Sequence, residues 1–165
     1  CRTVPGGKNV DFKRVQFLKK QMKAKVGRTY PALSEEEVFR MDALTLAYIG
    51  DACWSFFIRR ALIHTGIYTV QILHSLAADM VSARMQCRIL FSIQDLLSER
   101  ELKVCRRGRN THSAVPKSAT VEEYRESTAF ESLLGYLYLA GQEERLQFLM
   151  DRSLQFLSEE FSDER

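Results

Sequence analysis

The sequence predicts an all-α protein, and three observations carry that expectation. Stretches of alternating β-branched residues are nearly absent, so no strand pattern competes. Ser/Thr-x-x-Glu pairs stand at Ser34/Glu37, Ser98/Glu101 and Thr120/Glu123, the spacing at which a hydroxyl and a later carboxylate satisfy the free amides that open a helix. Only 3 Pro and 8 Gly interrupt 165 residues that are 45% hydrophobic and 27% charged. That composition excludes a disordered, collagen-like or low-complexity chain and gives one domain enough apolar material for a core.

Helices are expected, in order, at 9–26, 35–64, 69–94, 98–107, 121–141 and 143–160. The first is a short basic amphipathic segment: Lys13, Arg14, Lys19, Lys20, Lys23 and Lys25 flank Phe12, Val15, Leu18 and Met22. Its partner is phosphate, an acidic surface or the domain itself. Charge is concentrated here. Residues 1–30 hold nine Lys/Arg against one acid, a net of +8, while the remainder holds fifteen against twenty, a net of −5. Gly27 to Pro31 reads as a linker, which gives a basic N-terminal extension at 1–31 and a main domain at 32–165.

Between Asp42 and Arg59 the second helix carries one charged residue, Asp51, in the run from Ala43 to Ile58, which is apolar almost all round and is expected in a core. The fifth helix repeats the pattern: Glu131 is the one charged residue between Glu126 and Glu143. Between them a basic loop is expected, in which Lys103, Arg106, Arg107, Arg109 and Lys117 surround Gly108, Asn110, Thr111, His112, Ser113 and Pro116. Arg forks onto phosphate, and Asn, Ser and Thr reach sugar or base edges, so the composition suits a contact that tracks a nucleic-acid backbone; a merely soluble loop is the alternative.

An unpaired buried carboxylate is costly, and neither Asp51 nor Glu131 has a basic residue one turn away. Its partner is then a cation from elsewhere, such as Arg84 or Arg125, or a divalent metal held by both acids. Small residues beside them, Gly50 and Ala52 on one helix and Ser127 and Gly135 on the other, would let two backbones approach closely. Two carboxylates with positions left for water form the hard-oxygen site that Mg²⁺ prefers, and Mg²⁺ activates water for attack on a phosphodiester. A buried acid satisfied by Ser, Thr or Tyr hydroxyls is the other reading, and spacing alone leaves both open. The basic segment close to Glu131 weighs toward metal, because phosphate hydrolysis needs cations and metal side by side.

Other residue types narrow the field. Cys1, Cys53, Cys87 and Cys105 form no C-x-x-C pair, so neither a zinc ribbon nor a disulfide framework is suggested and reduced thiols in a cytoplasmic setting are expected. His64, His74 and His112 lack metal spacing. Trp54, Phe56, Phe57, Tyr136 and Tyr138 read as core or dimer-interface aromatics. The start is basic and polar, and no uncharged apolar run of about 18 residues occurs, which argues against secretion and membrane insertion. A first residue of Cys fits a trimmed chain.

Three blocks then become recognisable. Leu46-Ala-Tyr-Ile-Gly-Asp-Ala52, Arg106-Arg-Gly-Arg-Asn110 and Tyr124-Arg-Glu-Ser-Thr-Ala-Phe-Glu131-Ser-Leu-Leu-Gly-Tyr-Leu-Tyr-Leu139 resemble Mini-ribonuclease III over about 32–158, in family order. The resemblance implies the helical fold of a ribonuclease III endonuclease domain, homodimeric, with a metal-dependent centre in each copy cutting one strand of double-stranded RNA. The family lacks an appended double-stranded-RNA-binding domain, and the short stretch after Glu131 fits that, so RNA is expected to be held by the catalytic domain. Family members mature the 23S ribosomal RNA precursor in bacteria, and plastid relatives process organellar RNA. A cytoplasmic protein is implied, or a plastid one if the source is a plant or alga, and a ribosomal-protein accessory fits the same role.

On the matched positions, Asp51 and Glu131 are the expected catalytic and Mg²⁺-binding residues, with Mn²⁺ as a substitute. Arg106, Arg107, Arg109, Asn110, Thr111 and Lys117 are expected to bind RNA through phosphates and 2′-hydroxyls, with Thr128, Arg125 and Arg84 in support. Full-length ribonuclease III carries further acids one turn before each catalytic one; here those positions are Ala47 and Thr128, a thinning other Mini-III members share, and Thr128 is expected to orient a metal-bound water. Cys53-Trp54-Ser55 replaces the usual Val-Tyr-Glu. The expected activity is a double-strand-specific endoribonuclease. A non-cleaving RNA-binding scaffold on the same fold is its competitor, and a helical adaptor for protein partners is a weaker one.

Overall fold

The computed structural model describes residues 12–25, 33–111, 115 and 118–163. The chain divides into two compact units, Cys1–Pro31 and Ala32–Arg165. In the first, Phe12–Lys25 forms helix α1, while the expected linker and residues 9–11 of the expected helix lie outside the described residues.

The second unit contains α2 (Glu35–Phe39), α3 (Ala43–Ile63), α4 (Val70–Met80), α5 (Ala83–Ile93), a 3₁₀ turn (Gln94–Leu96), α6 (Glu99–Arg109), α7 (Val121–Leu139) and α8 (Glu143–Asp163). The described residues form no strand. All three Ser/Thr-x-x-Glu pairs close as reciprocal capping boxes, opening α2, α6 and α7. Two expected helices are each divided by a cap of another kind. The span 35–64 breaks before α3, where the Asp42 carboxylate accepts from the amides of Leu44 and Thr45. The span 69–94 breaks before α5, where the Ser82 hydroxyl accepts from the Met85 amide. A side chain that satisfies the first free amides starts a new helix axis even inside an apolar-periodic run.

Helix α7 is the centre of this unit: α2, α3, α5, α6 and α8 all pack on it. Its residues 126–137 are buried apart from the half-buried Glu131, which explains why its sequence is apolar on every side. Helix α3 is different. Leu46, Ala47, Gly50, Trp54, Phe57, Ile58 and Leu62 are buried, but Leu44, Tyr48, Asp51, Ala52, Phe56 and Ile63 are exposed, so the expectation of a fully enclosed helix holds for only one of its faces. At the end of α7 the chain reverses through Gly141 (φ 68°), whose amide meets Tyr138 O while that of Gln142 meets Leu137 O. This turn lays α8 back over the core through Leu146, Leu149, Met150 and Leu157. No helix among the described residues is long and apolar enough to cross a membrane.

Candidate active site

The site begins with two glycines. Helices α3 and α7 cross so closely that a Cβ on Gly50 would fall inside the Glu131 carbonyl group, and one on Gly135 inside the Leu46 carbonyl group. Only residues without side chains fit at either point. Ser132 ties the same crossing together, its hydroxyl lying 2.9 Å from Ala43 O and 2.8 Å from Thr128 O. Because Gly50 abuts the backbone of Glu131, the next residue, Asp51, lies near enough for its charge to act on the Glu131 carboxyl. The predicted close approach is present at Gly50 and Gly135, whereas Ala52 faces outward and the Ser127 hydroxyl caps the Tyr124 carbonyl of its own helix.

Asp51 is exposed and Glu131 half-buried. Burial, and after it the Asp51 charge, pushes the Glu131 carboxyl up to about 7, partly offset by a hydrogen bond from Gln86. Among the described residues neither Arg84 nor Arg125, the cations expected as partners, forms an ion pair with Asp51 or Glu131, and both arginines are exposed. A hard-oxygen acid held partly out of water and further disfavoured by a neighbouring carboxylate is relieved by a divalent cation. Among the described residues no group of three or more His, Cys, Asp or Glu side chains could share a metal. The acids available to hold a divalent ion here are therefore Asp51 and Glu131, a pair of hard oxygen donors with room for water in the remaining positions.

Gln86 was missed by reading the sequence. It is buried, its amide nitrogen donates to Val81 O at 3.1 Å, and its Oε1 has no partner. The available signal was a polar amide continuing the buried stripe Ile89, Leu90, Ile93 of α5, at a position where an apolar residue is the default.

The expected basic loop is corrected. Lys103, Arg106, Arg107 and Arg109 all lie in α6, whose last turn gains from cations at the negative end of the helix dipole. Gly108 does not signal a loop; a Cβ there would come within 2.8 Å of the Ala129 Cα, so it is the point at which α6 meets α7. Near that contact two of the arginines are half-buried and engaged within the fold. Arg109 forks onto Glu126, with Nη2 to Oε2 at 2.7 Å, and neutralises a carboxylate that burial would otherwise penalise. Arg107 lies over the Phe39 ring at 4.8 Å, and its Nε and Nη2 are buried without partners. Arg106 and Asn110 are exposed, Asn110 as the C-cap of α6. The Thr111 hydroxyl donates to Gly108 O at 2.8 Å. Lys117, with His112, Ser113 and Pro116, lies outside the described residues. Thr128, expected to orient a metal-bound water, is 3% exposed, and its hydroxyl donates to Tyr124 O within α7.

Comparison with known proteins gives this geometry a context. The Ribonuclease III domain family matches residues 44–142. Mini-ribonuclease 3 of Thermoanaerobacter sp. is 43% identical over 128 residues, spanning 77% of this chain and 90% of that protein. Mini-ribonuclease 3 of Symbiobacterium thermophilum is 47% identical over 116 residues, 69% of this chain and 88% of that one. A crystallised protein of Fusobacterium nucleatum has the same fold with a TM-score of 0.66 at 31% identity, over 70% of this chain and 93% of its own.

Proposed function

This chain belongs to the ribonuclease III family, in its Mini-ribonuclease III branch, and from that premise we propose that it cuts double-stranded RNA through a Mg²⁺ site made by Asp51 and Glu131. The family is one of metal-dependent double-strand-specific endoribonucleases. What supports the assignment of residues is the Gly50 crossing, which brings the residue before Asp51 against the Glu131 backbone, with no ion-pair partner for either acid among the described residues. A divalent ion bound there supplies neutralising charge to the scissile phosphate and polarises water for its hydrolysis.

The remaining work falls to side chains. Asp51, exposed, presents its oxygens toward substrate, while Glu131 is carried by the buried α7, with the Gln86 side chain favouring its charged form. Arg106 and Asn110, exposed at the end of α6, are placed to meet phosphate and 2′-hydroxyl groups, with Arg84 and Arg125 as further exposed cations. Residues 32–165 act as the catalytic domain. Mn²⁺ replaces Mg²⁺ in the same oxygen site.

The active form is a homodimer, because two strands of one duplex need two related centres. Supporting this is the outward face of α3, where Tyr48 is 79% and Phe56 69% exposed beside Leu44 and Ile63, with Tyr138 alongside on α7. Aromatic groups so exposed on a core helix mark a surface that a second copy covers. The substrate is a 23S ribosomal RNA precursor stem, met in the cytoplasm or a plastid, with a ribosomal protein as accessory.

The test is cleavage of a labelled RNA duplex with Mg²⁺, with Mn²⁺, with EDTA, and by Asp51→Asn and Glu131→Gln proteins, alongside binding to the same duplex. Metal-dependent cutting that each substitution lowers by at least about a thousandfold, with binding kept, is expected. Binding without cutting of any duplex, a ribosomal-precursor stem included, would replace this reading with a scaffold.

A further inference from the structure

The unit that carries the acids is poorly charged for its task. From Ala32 onward the chain bears fifteen Lys/Arg against twenty acids, yet its proposed substrate is a polyanion. Several of those cations are engaged within the fold: Arg88 pairs with Glu160, Arg100 with Glu35 and Glu36, Arg109 with Glu126 and Arg145 with Glu101. Unaided, such a surface gains little from counterion release, the term that dominates affinity for nucleic-acid backbones.

The positive charge sits in the other unit. Helix α1 contains Lys13, Arg14, Lys19, Lys20, Lys23 and Lys25 and no acidic residue. Lys13, Gln16, Lys20 and Lys23 follow at spacings of three, four and three, which places them on one face, with Lys19 at its border. All five side chains are exposed. Val15, Leu18 and Met22 recur at the same spacing on a separate face. The family match begins at residue 44, so this helix lies outside the shared region.

From this charge complementarity we infer that α1 is a duplex-RNA-binding arm: its lysine face contacts the phosphates of the RNA that the catalytic unit cuts and supplies the electrostatic affinity that unit lacks. The inference rests on the functional reading above. Duplex RNA is favoured over an anionic membrane because the helix is tethered to a unit with an RNA-cutting site. Tethering turns its contact into an intramolecular event once the duplex is held, so modest contacts at α1 raise the affinity of the whole chain.

The test uses the full chain and the variant Lys13→Gln/Lys19→Gln/Lys20→Gln/Lys23→Gln, which removes charge while keeping residues of similar helix propensity. Circular dichroism verifies that helix content is unchanged. Binding of a fluorescent, fully paired RNA duplex is measured in EDTA over a salt series, and cleavage of the same duplex in Mg²⁺. The variant is expected to bind at least about tenfold more weakly at low salt and to lose about 2–4 from the slope of log affinity against log salt. Its KM should rise far more than its kcat falls. Equal affinity and equal slope in the two proteins would overturn the arm. So would sedimentation of the unmodified chain with phosphatidylserine vesicles that the substitutions abolish while RNA binding is untouched, which would assign the helix to membranes. If the unmodified chain itself neither binds nor cuts the duplex, the functional reading fails and the arm with it, an outcome separated from the others by appearing before any substitution.

Discussion

Helix α7 makes two close crossings, with α3 at Gly50 and Gly135 and with α6 at Gly108, and they have opposite consequences for charge. At the first, two carboxylates approach with no ion-pair partner among the described residues. At the second, a carboxylate, Glu126, receives a complete one in Arg109. Each crossing depends on a missing side chain, yet one leaves a carboxyl without a cation and the other supplies a buried carboxylate with a half-buried one. Residue type alone does not say which groups are free to act; the backbone approach decides it. Glu126 and Glu131 sit on the same helix, and only Glu131 is left wanting a cation.

The largest effect should come from closing the first crossing. Gly50→Ala forces a methyl into the Glu131 carbonyl group and is expected to cost roughly 2–4 kcal/mol in urea unfolding. Cleavage should fall about a hundredfold, because the two acids no longer hold their spacing. Gly141→Ala is the control. Its added methyl meets open space, so only the left-handed backbone at φ 68° is strained, and a loss of about 1 kcal/mol with full cleavage is expected.

The unmet charge at the first crossing should also be visible as a pH dependence of the metal-free protein. The folded Glu131 carboxyl, at about 7, lies above the ordinary value of 4.5, so the folded state holds this proton more tightly than the unfolded one. Its contribution is fully present below about 4.5 and is lost as pH rises through about 7, amounting at most to about 3 kcal/mol and less where water screens the site. Urea midpoints in EDTA between pH 4.5 and 8 check this. Glu131→Gln should flatten the profile, and Mg²⁺ should restore stability at the high-pH end. A profile unaffected by Glu131→Gln would mean that the acids do not oppose each other.

The smallest effects should separate the arginines of α6. Arg109→Gln leaves Glu126 buried without its fork and is expected to cost roughly 1–2 kcal/mol, since the pair is part-exposed on the arginine side. Arg106→Gln removes an exposed cation, should leave the urea midpoint within about 0.5 kcal/mol, and should weaken duplex binding a few-fold. Equal behaviour of the two would erase the distinction drawn between the crossings.

The same comparison explains what was legible in the sequence. Caps are local, so Ser34, Ser98 and Thr120 announced their helices, and Gly50 beside Asp51 announced the close approach, because a glycine next to a lone acid in an apolar run has few other uses. Asp42 and Ser82 were harder to see. They cap without a glutamate three residues on, so the apolar rhythm ran straight through them. Gly108 was misread for a related reason: the same residue serves loops and tight helix contacts, and only the partner helix, far along the chain, tells them apart. With it went Arg107 and Arg109, whose positive charge suggested nucleic acid while Phe39 and Glu126 were already in place to receive them. Gln86 gave a weak cue, since one buried amide acquires meaning only beside Glu131.

If Asp51 and Glu131 cut as proposed, the crossing at Gly50 also sets the moment at which a newly made chain gains that ability. Asp51 is synthesised early and Glu131 late, and nothing but the docked α7 backbone brings them together. A half-made chain emerging from a ribosome, itself rich in paired RNA, therefore carries one harmless acid and no scissors. On the proposed role of Asp51 and Glu131, cutting ability arrives with the tertiary fold, and a copy in which α7 has not docked holds its two acids apart.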